Sequence, residues 1–274
     1  MLLALDIGNT NIVAGLFDEE KLAAQWRLSS RQYTADELAA FFKIAFDARG
    51  FAFSQIEAVA ISSVVPGLTP QAALLAQEYF HTEPLVVGHD LDIGLGNEYG
   101  DPRAVGADRL VNALAAWTKY SCACVIADFG TATTVDAVSS DGNYLGGAIA
   151  PGLQISTDAL FQAAARLPRV ELVPPQDGKA LARHTIASMQ AGLVYGYAGL
   201  TKELVARCYE EILGCEHLQS KEKYGRKEEA TKVKVLATGG LASLIAPLVP
   251  QIDHVEPELA LEGLRLIWQR NHSQ

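Results

Sequence analysis

Two stretches of the chain combine an aspartate with glycine and small polar residues in a pattern suited to holding phosphate. The first runs from Leu2 to Asp18, LLALDIGNTNIVAGLFD, and the second from Val125 to Val138, VIADFGTATTVDAV. In each, an apolar run ends near an aspartate, Asp6 or Asp128, a short turn follows, and a second apolar run returns. Turn residues Gly8, Asn9, Thr10 and Asn11 offer backbone N–H groups and side-chain donors to phosphate oxygens, as do Gly130 and Thr131. Glycine and asparagine also tolerate the positive φ that short hairpin turns use. Familiar phosphate loops pass from strand to helix, whereas Ile12 to Phe17 reads as another strand. The loop therefore lies between two strands. A plain hairpin with an aspartate at its edge accounts for one such stretch. Its recurrence a little under half a chain later points to duplication.

A third group is Gly106-Ala107-Asp108-Arg109, followed by Leu110, Val111, Leu114, Ala115 and Trp117 at helical spacing. That spacing puts Asp108 and Arg109 at a helix start. An acid there is an ordinary first-turn residue.

The elements that must position these groups follow two similar plans. Lys21–Leu28 extends the first hairpin into a meander. Thr34 caps a helix with Asp36 and Glu37 in its first turn, Ile56–Val65 is a buried strand, Thr69–Phe80 a helix and Pro84–Val87 a short strand. The second half repeats this with strands Cys122–Phe129, Thr133–Val138 and Tyr144–Ile149. The passage GGAIAPGL then leads into a helix from about Leu153 to Arg166. A long helical pattern covers Thr185 to Leu213, and the doubly charged stretch Glu216–Lys232 reads as a solvated loop. Val233–Ala237 is a strand that Thr238-Gly239-Gly240 breaks into a helix, and Glu258–Gln269 closes the chain as an amphipathic helix.

The 274 residues are 49% hydrophobic and 20% charged, an ordinary globular balance with room for two halves, and the formal net charge is −10. Such a surface repels nucleic acid and anionic membrane. Cys122, Cys124, Cys208 and Cys215 form no C-x-x-C pair, which favours reduced thiols over zinc or disulfides. No signal peptide or membrane span is evident at the N-terminus, so a cytoplasmic protein without membrane or nucleic-acid partners is expected. The histidines are scattered without metal-ligand spacing.

Taken together, DIGNTN at Asp6–Asn11, Y-x-x-P-x-x-x-G-A-D-R at Tyr99–Arg109, DFGTATTVD at Asp128–Asp136, GGAIAPGL from Gly146, T-x-x-S-M-Q-A-G from Thr185 and ATGG from Ala237 resemble type III pantothenate kinase. That family lies within the acetate and sugar kinase, heat-shock 70 and actin superfamily, and the resemblance runs the length of the chain. It implies duplicated ribonuclease H-like (actin-like ATPase) α/β domains, residues 1–105 and 106–274, each a mixed five-stranded sheet with helices and with an ATP cleft between them.

The resemblance also implies ATP-dependent phosphorylation of pantothenate to 4′-phosphopantothenate, the first step towards coenzyme A. ATP phosphates would meet Asp6, Ile7, Gly8, Asn9, Thr10, Asn11, Ile12, Val13 and Thr131. Mg²⁺ would sit at Asp6, and a monovalent cation, K⁺ or NH₄⁺, at Asp128. Pantothenate would meet Tyr99, Gly106, Ala107, Asp108, Arg109 and Thr185, with Asp108 as catalytic base, and the active form would be a homodimer. A kinase of another small alcohol or sugar, and a nucleotide-dependent regulator on the same fold, are the competing readings.

Overall fold

A computed structural model describes residues 1–223 and 232–272. Two compact units are formed. One comprises Met1–Leu95, Gly100–Ala115 and the segment from Glu258; the other comprises Gly96–Tyr99 and Ala116–Pro257. The expected division after residue 105 falls within the Gly100–Ala115 segment of the first unit.

In the first unit β1 (Leu2–Ile7), β2 (Asn11–Asp18) and β3 (Lys21–Ser29) form an antiparallel meander, and β4 (Ala58–Ser63) and β5 (Leu85–Val86) join on the other side in parallel. The strand order is β3-β2-β1-β4-β5. Strand β1 is buried along most of its length, so it is apolar on both faces rather than alternating. Helices α1 (Ala35–Asp47) and α2 (Thr69–Tyr79) pack on each other beside this sheet. Thr34 caps α1 as expected: its hydroxyl accepts from Glu37 N–H at 3.2 Å, and Glu37 accepts in return from Thr34 N–H at 2.9 Å. Phe46, fully buried, anchors an aromatic cluster with Trp26, Phe42, Phe51, Phe53 and Phe80.

The last helix, α8 (Leu259–His272), packs on β1, β2 and β4 and so returns to the first unit. Leu259, Leu261, Leu264 and Ile267 bury its apolar face. Two glycines let it approach. A Cβ at Gly15 would stand 2.8 Å from Leu261, and one at Gly263 would stand 2.6 Å from Val111 Cγ1 and strike the Val111 carbonyl.

In the second unit β7 (Ala123–Phe129), β8 (Ala132–Val138) and β9 (Asn143–Pro151) are antiparallel, while β10 (Val233–Thr238) and β11 (His254–Val255) join β7 in parallel. The order β9-β8-β7-β10-β11 repeats the first sheet strand for strand. This is the duplicated α/β architecture expected, with one difference: β6 (Gly96–Asn97) adds a sixth strand, parallel to β9. A strand of two residues carries no period, which is why neither β6 nor β11 was legible.

Helix α3 (Ala107–Tyr120) precedes β7, and α4 (Leu153–Ala163) follows β9. The long helical pattern is α5 (Thr185–Gln190), a π-helical turn over Ala191–Tyr195, and α6 (Gly196–Lys223). Helix α6 thus enters the stretch expected as a loop from Glu216, since its Glu, Leu, Gln and Lys residues are strong helix formers. The remainder of that expected loop up to residue 231 lies outside the described residues. The junction after β10 holds only a short helix, α7 (Ala242–Ile245), and a 3₁₀ turn.

Gly263→Ala sets two effects against each other. Alanine favours a helix interior by roughly 0.5–1 kcal/mol, whereas overpacking against the Val111 backbone costs roughly 1–3 kcal/mol. Net destabilisation is expected as a lower denaturant midpoint; an unchanged or higher midpoint would contradict the close packing of α8 on α3.

Candidate active site

Each sheet presents its aspartate in the same place. Asp6 is the penultimate residue of β1, in register with Val13 on antiparallel β2 and Ser62 on parallel β4. Asp128 is the penultimate residue of β7, in register with Thr134 on antiparallel β8 and Thr238 on parallel β10. Both carboxylates are half-buried at a strand end where the chain turns back.

The first turn closes through Gly8 N–H donating to Asn11 O at 3.0 Å, with Asn9 and Thr10 exposed. Its backbone departs from expectation. Residues 8 to 11 are absent from the positive-φ positions of the chain. Space at position 8 is tight: a Cβ there would stand 3.2 Å from Asn11 O. Ser30, just past β3, fixes the turn from behind. Its hydroxyl donates to Gly8 O at 2.5 Å and its N–H donates to Thr10 O at 2.8 Å. Those carbonyls are thereby held back, which leaves the turn's other face to its N–H groups and side chains.

Asp108 stands in the first turn of α3, half-buried, with Oδ1 accepting from Arg109 N–H at 2.8 Å. Gly106 is small for that carboxylate: a Cβ at 106 would come 2.5 Å from Asp108 Oδ1 and 3.8 Å from Val64 Cγ1. Val64 in turn donates its N–H to Ile7 O at 3.0 Å. Through Val64 the first unit brings Gly106–Asp108 beside the residue that opens the first turn. Arg109 is buried, only 7% exposed.

In the second unit Gly130 and Thr131 form the turn between β7 and β8. Gly152 braces it, donating N–H to Thr131 O at 3.1 Å, and a Cβ at 152 would strike the carbonyls of Gly130 and Thr131. Tyr197 on α6 reaches Thr133 with its hydroxyl and donates to Pro151 O at 2.9 Å. Burial pushes the Tyr197 phenol above its ordinary range, which keeps it a proton donor. The ATGG segment turns sharply out of β10: Gly239, at φ +87°, packs on Asp128 and Phe129, where a Cβ would strike Asp128 Oδ1 and the Phe129 backbone. Here glycine is needed both for its conformation and for the close approach.

Tyr99 belongs to the second unit and packs by Gly146 and Tyr144, while Thr185 opens α5 and is exposed. His184, the residue before it, makes no side-chain cap bond to α5. Within units, the structure therefore joins Asp6–Val13 with Gly106–Arg109, and Asp128 with Thr131 and Gly239. Ser30, Val64 and Tyr197 were not singled out from sequence as site residues. A lone serine after a strand or a valine before Pro66 has no signature of its own, because each acts by where the sheet delivers it. Among the described residues no group of three or more His, Cys, Asp and Glu is placed to hold a metal ion.

Two like sheets, each carrying an aspartate-and-turn hairpin off its central strand, define a duplicated actin-like α/β fold. A family model for type III pantothenate kinase matches residues 2–207. The type III pantothenate kinase of Geobacter sulfurreducens is 48% identical over 272 residues, covering 99% of this chain and 99% of the relative. That of Moorella thermoacetica is 44% identical over 272 residues, covering 99% and 100%. The chain belongs to the type III pantothenate kinase family. Among solved structures, a Campylobacter jejuni protein described as a Baf family transcriptional activator superposes with a TM-score of 0.58 at 18% identity, covering 99% of this chain and all of that one. At that identity the likeness concerns the fold.

Ser30→Ala removes the hydroxyl that holds Gly8 O. One hydrogen bond contributes about 1 kcal/mol net to stability, so the melting temperature is expected to fall by about 2 °C. An unaltered melting temperature would show that the turn keeps its shape without Ser30.

Proposed function

We propose that this chain transfers the γ-phosphoryl group of ATP to the primary hydroxyl of pantothenate, yielding 4′-phosphopantothenate and ADP at the entry to coenzyme A synthesis. The observation that carries this reading is the near full-length identity to type III pantothenate kinases, in a chain that keeps Asp108 and Arg109 on the first turn of α3.

The reaction breaks the bond from the γ-phosphorus to the β,γ-bridging oxygen and forms one to the pantothenate oxygen, whose proton leaves. Phosphoryl transfer asks mainly for positioning and charge neutralisation. In this reading residues Asp6 to Val13 of the first unit and Thr131 of the second bind ATP phosphates. Asp108 orients the hydroxyl and takes its proton late, since in a loose transition state the hydroxyl keeps its proton until transfer is nearly complete. Arg109 receives the pantothenate carboxylate. Its burial lessens screening by water and strengthens that pairing. Tyr99, Gly106, Ala107 and Thr185 complete the acceptor contacts.

Two cations fit the donor set. Asp6 is a single half-buried carboxylate beside oxygen-bearing turn residues, which suits Mg²⁺ completing its shell with water and phosphate oxygens. Asp128, closed in by Gly239, is assigned K⁺ or NH₄⁺. These ions supply the positive charge that carboxylates near a triphosphate require. We further assign a homodimeric, cytoplasmic enzyme. The family resemblance is what supports the homodimer, and among the described residues no helix is long and apolar enough to cross a membrane.

Release of ADP should require ATP, Mg²⁺ and pantothenate together, and should fail when Na⁺ replaces K⁺. Asp108→Asn is expected to lower kcat by roughly 10²–10⁴ while pantothenate still binds. Near-normal turnover in Asp108→Asn, or no ADP with pantothenate under any cation, would overturn the assignment.

A further inference from the structure

The second unit buries a second carboxylate on the return strand of its hairpin, away from the turn. Asp136, on β8, is 2% exposed. Its Oδ1 accepts from Tyr144 Oη at 2.6 Å and its Oδ2 from Thr134 Oγ1 at 2.8 Å. Burying a carboxylate is expensive, and apolar residues of similar volume usually stabilise a fold as well or better. Its position therefore calls for a task beyond filling the core.

What Asp136 fixes is Tyr144, and what Tyr144 carries is Tyr99. The Tyr144 ring is fully buried on β9, with its hydroxyl pinned to the carboxylate. Its backbone pairs with Asn97 of β6, and its carbonyl accepts from Glu98 N–H at 2.9 Å. The rings of Tyr144 and Tyr99 are 6.3 Å apart and inclined by 45°. Asn97 Oδ1 accepts from Tyr99 N–H at 3.1 Å, which ties the Tyr99 backbone to the same strand.

Successive glycines on β9 lie at both ends of this relay. Gly147 lies opposite Asp136, where a Cβ would strike Val135 O and stand 2.9 Å from Asp136 Oδ1. Gly146, at φ +116°, lies under Tyr99; its backbone conformation favours glycine, and a Cβ there would be in ordinary contact with Tyr99 Cδ2 at 3.4 Å. Only Gly96–Tyr99 of this region belongs to the second unit; the chain on either side belongs to the first. The short excursion is thus held at its end by Tyr144 and the glycine beneath the Tyr99 ring.

We propose that Asp136 and Tyr144 are positioning residues: together they set the angle of Tyr99 and so the affinity for the acceptor alcohol, without touching it. This rests on the reading of Tyr99 as an acceptor contact.

The test compares Tyr144→Phe, Asp136→Asn and Tyr99→Ala, with kcat and the KM values for pantothenate and ATP measured separately and folding checked by melting. Tyr144→Phe keeps the ring and loses only the bond to the carboxylate. It is expected to raise the pantothenate KM roughly tenfold, the scale of a hydrogen bond to a charged group, with kcat and the ATP KM within about twofold. In a Tyr99→Ala background Tyr144→Phe should add nothing further. If Tyr99→Ala raises the pantothenate KM but Tyr144→Phe does not, the relay is refuted while the role of Tyr99 stands. Equal losses for both substrates in Tyr144→Phe would also refute it, as a general structural role. An unchanged pantothenate KM in Tyr99→Ala would remove the acceptor contact and the relay with it. Should Asp136→Asn fail to fold, Tyr144→Phe alone decides.

Discussion

A carboxylate one residue short of the end of a central strand is the constraint on which the rest of this structure depends. Strands β1 and β7 are flanked on one side by an antiparallel partner and on the other by a parallel one, and both faces of β1 are covered. A strand so enclosed is nearly all apolar, and its one acid emerges only where the ladder ends. That arrangement delivers Asp6 and Asp128 to equivalent places, followed by a turn whose groups have left the sheet. The duplication of the sheet is thus also a duplication of the chemical device.

The two copies have been braced differently. In the first unit a hydroxyl and an N–H of Ser30 hold the turn's carbonyls, and Val64 links the end of β1 to the Gly106–Asp108 segment. In the second, glycines do the equivalent work: Gly152 beneath the turn and Gly239 against Asp128. Close backbone packing around Asp128 leaves that carboxylate more enclosed by main chain than a solvent-facing acid would be. The difference accords with separate ion assignments for Asp6 and Asp128.

Much of this was legible in the chain itself. Aspartate, turn and returning apolar run identified both hairpins, and Thr34 with Glu37 marked the start of α1. The period of Leu110, Val111 and Leu114 placed Asp108 at a helix start. What escaped depended on tertiary delivery or on elements too short to have a period. Strands β6 and β11 have two residues each. Gly8 does not use positive φ, and a Cβ there would crowd Asn11 O at 3.2 Å, a contact that only the folded turn creates. The charged run after Glu216 looked solvated by its composition, yet its residues are good helix formers and continue α6 to Lys223. The final helix could be found from its amphipathic pattern, but its docking on the first unit rests on Gly15 and Gly263, which only the fold brings opposite their partners.

The proposed task of these hairpins and the α3 start is phosphoryl transfer to an alcohol rather than hydrolysis. Phosphorus NMR of the protein with ATP, Mg²⁺, K⁺ and pantothenate separates the two. One new phosphomonoester resonance growing in equal amount with ADP is expected. ADP accompanied by inorganic phosphate alone, with no phosphomonoester, would overturn the proposal.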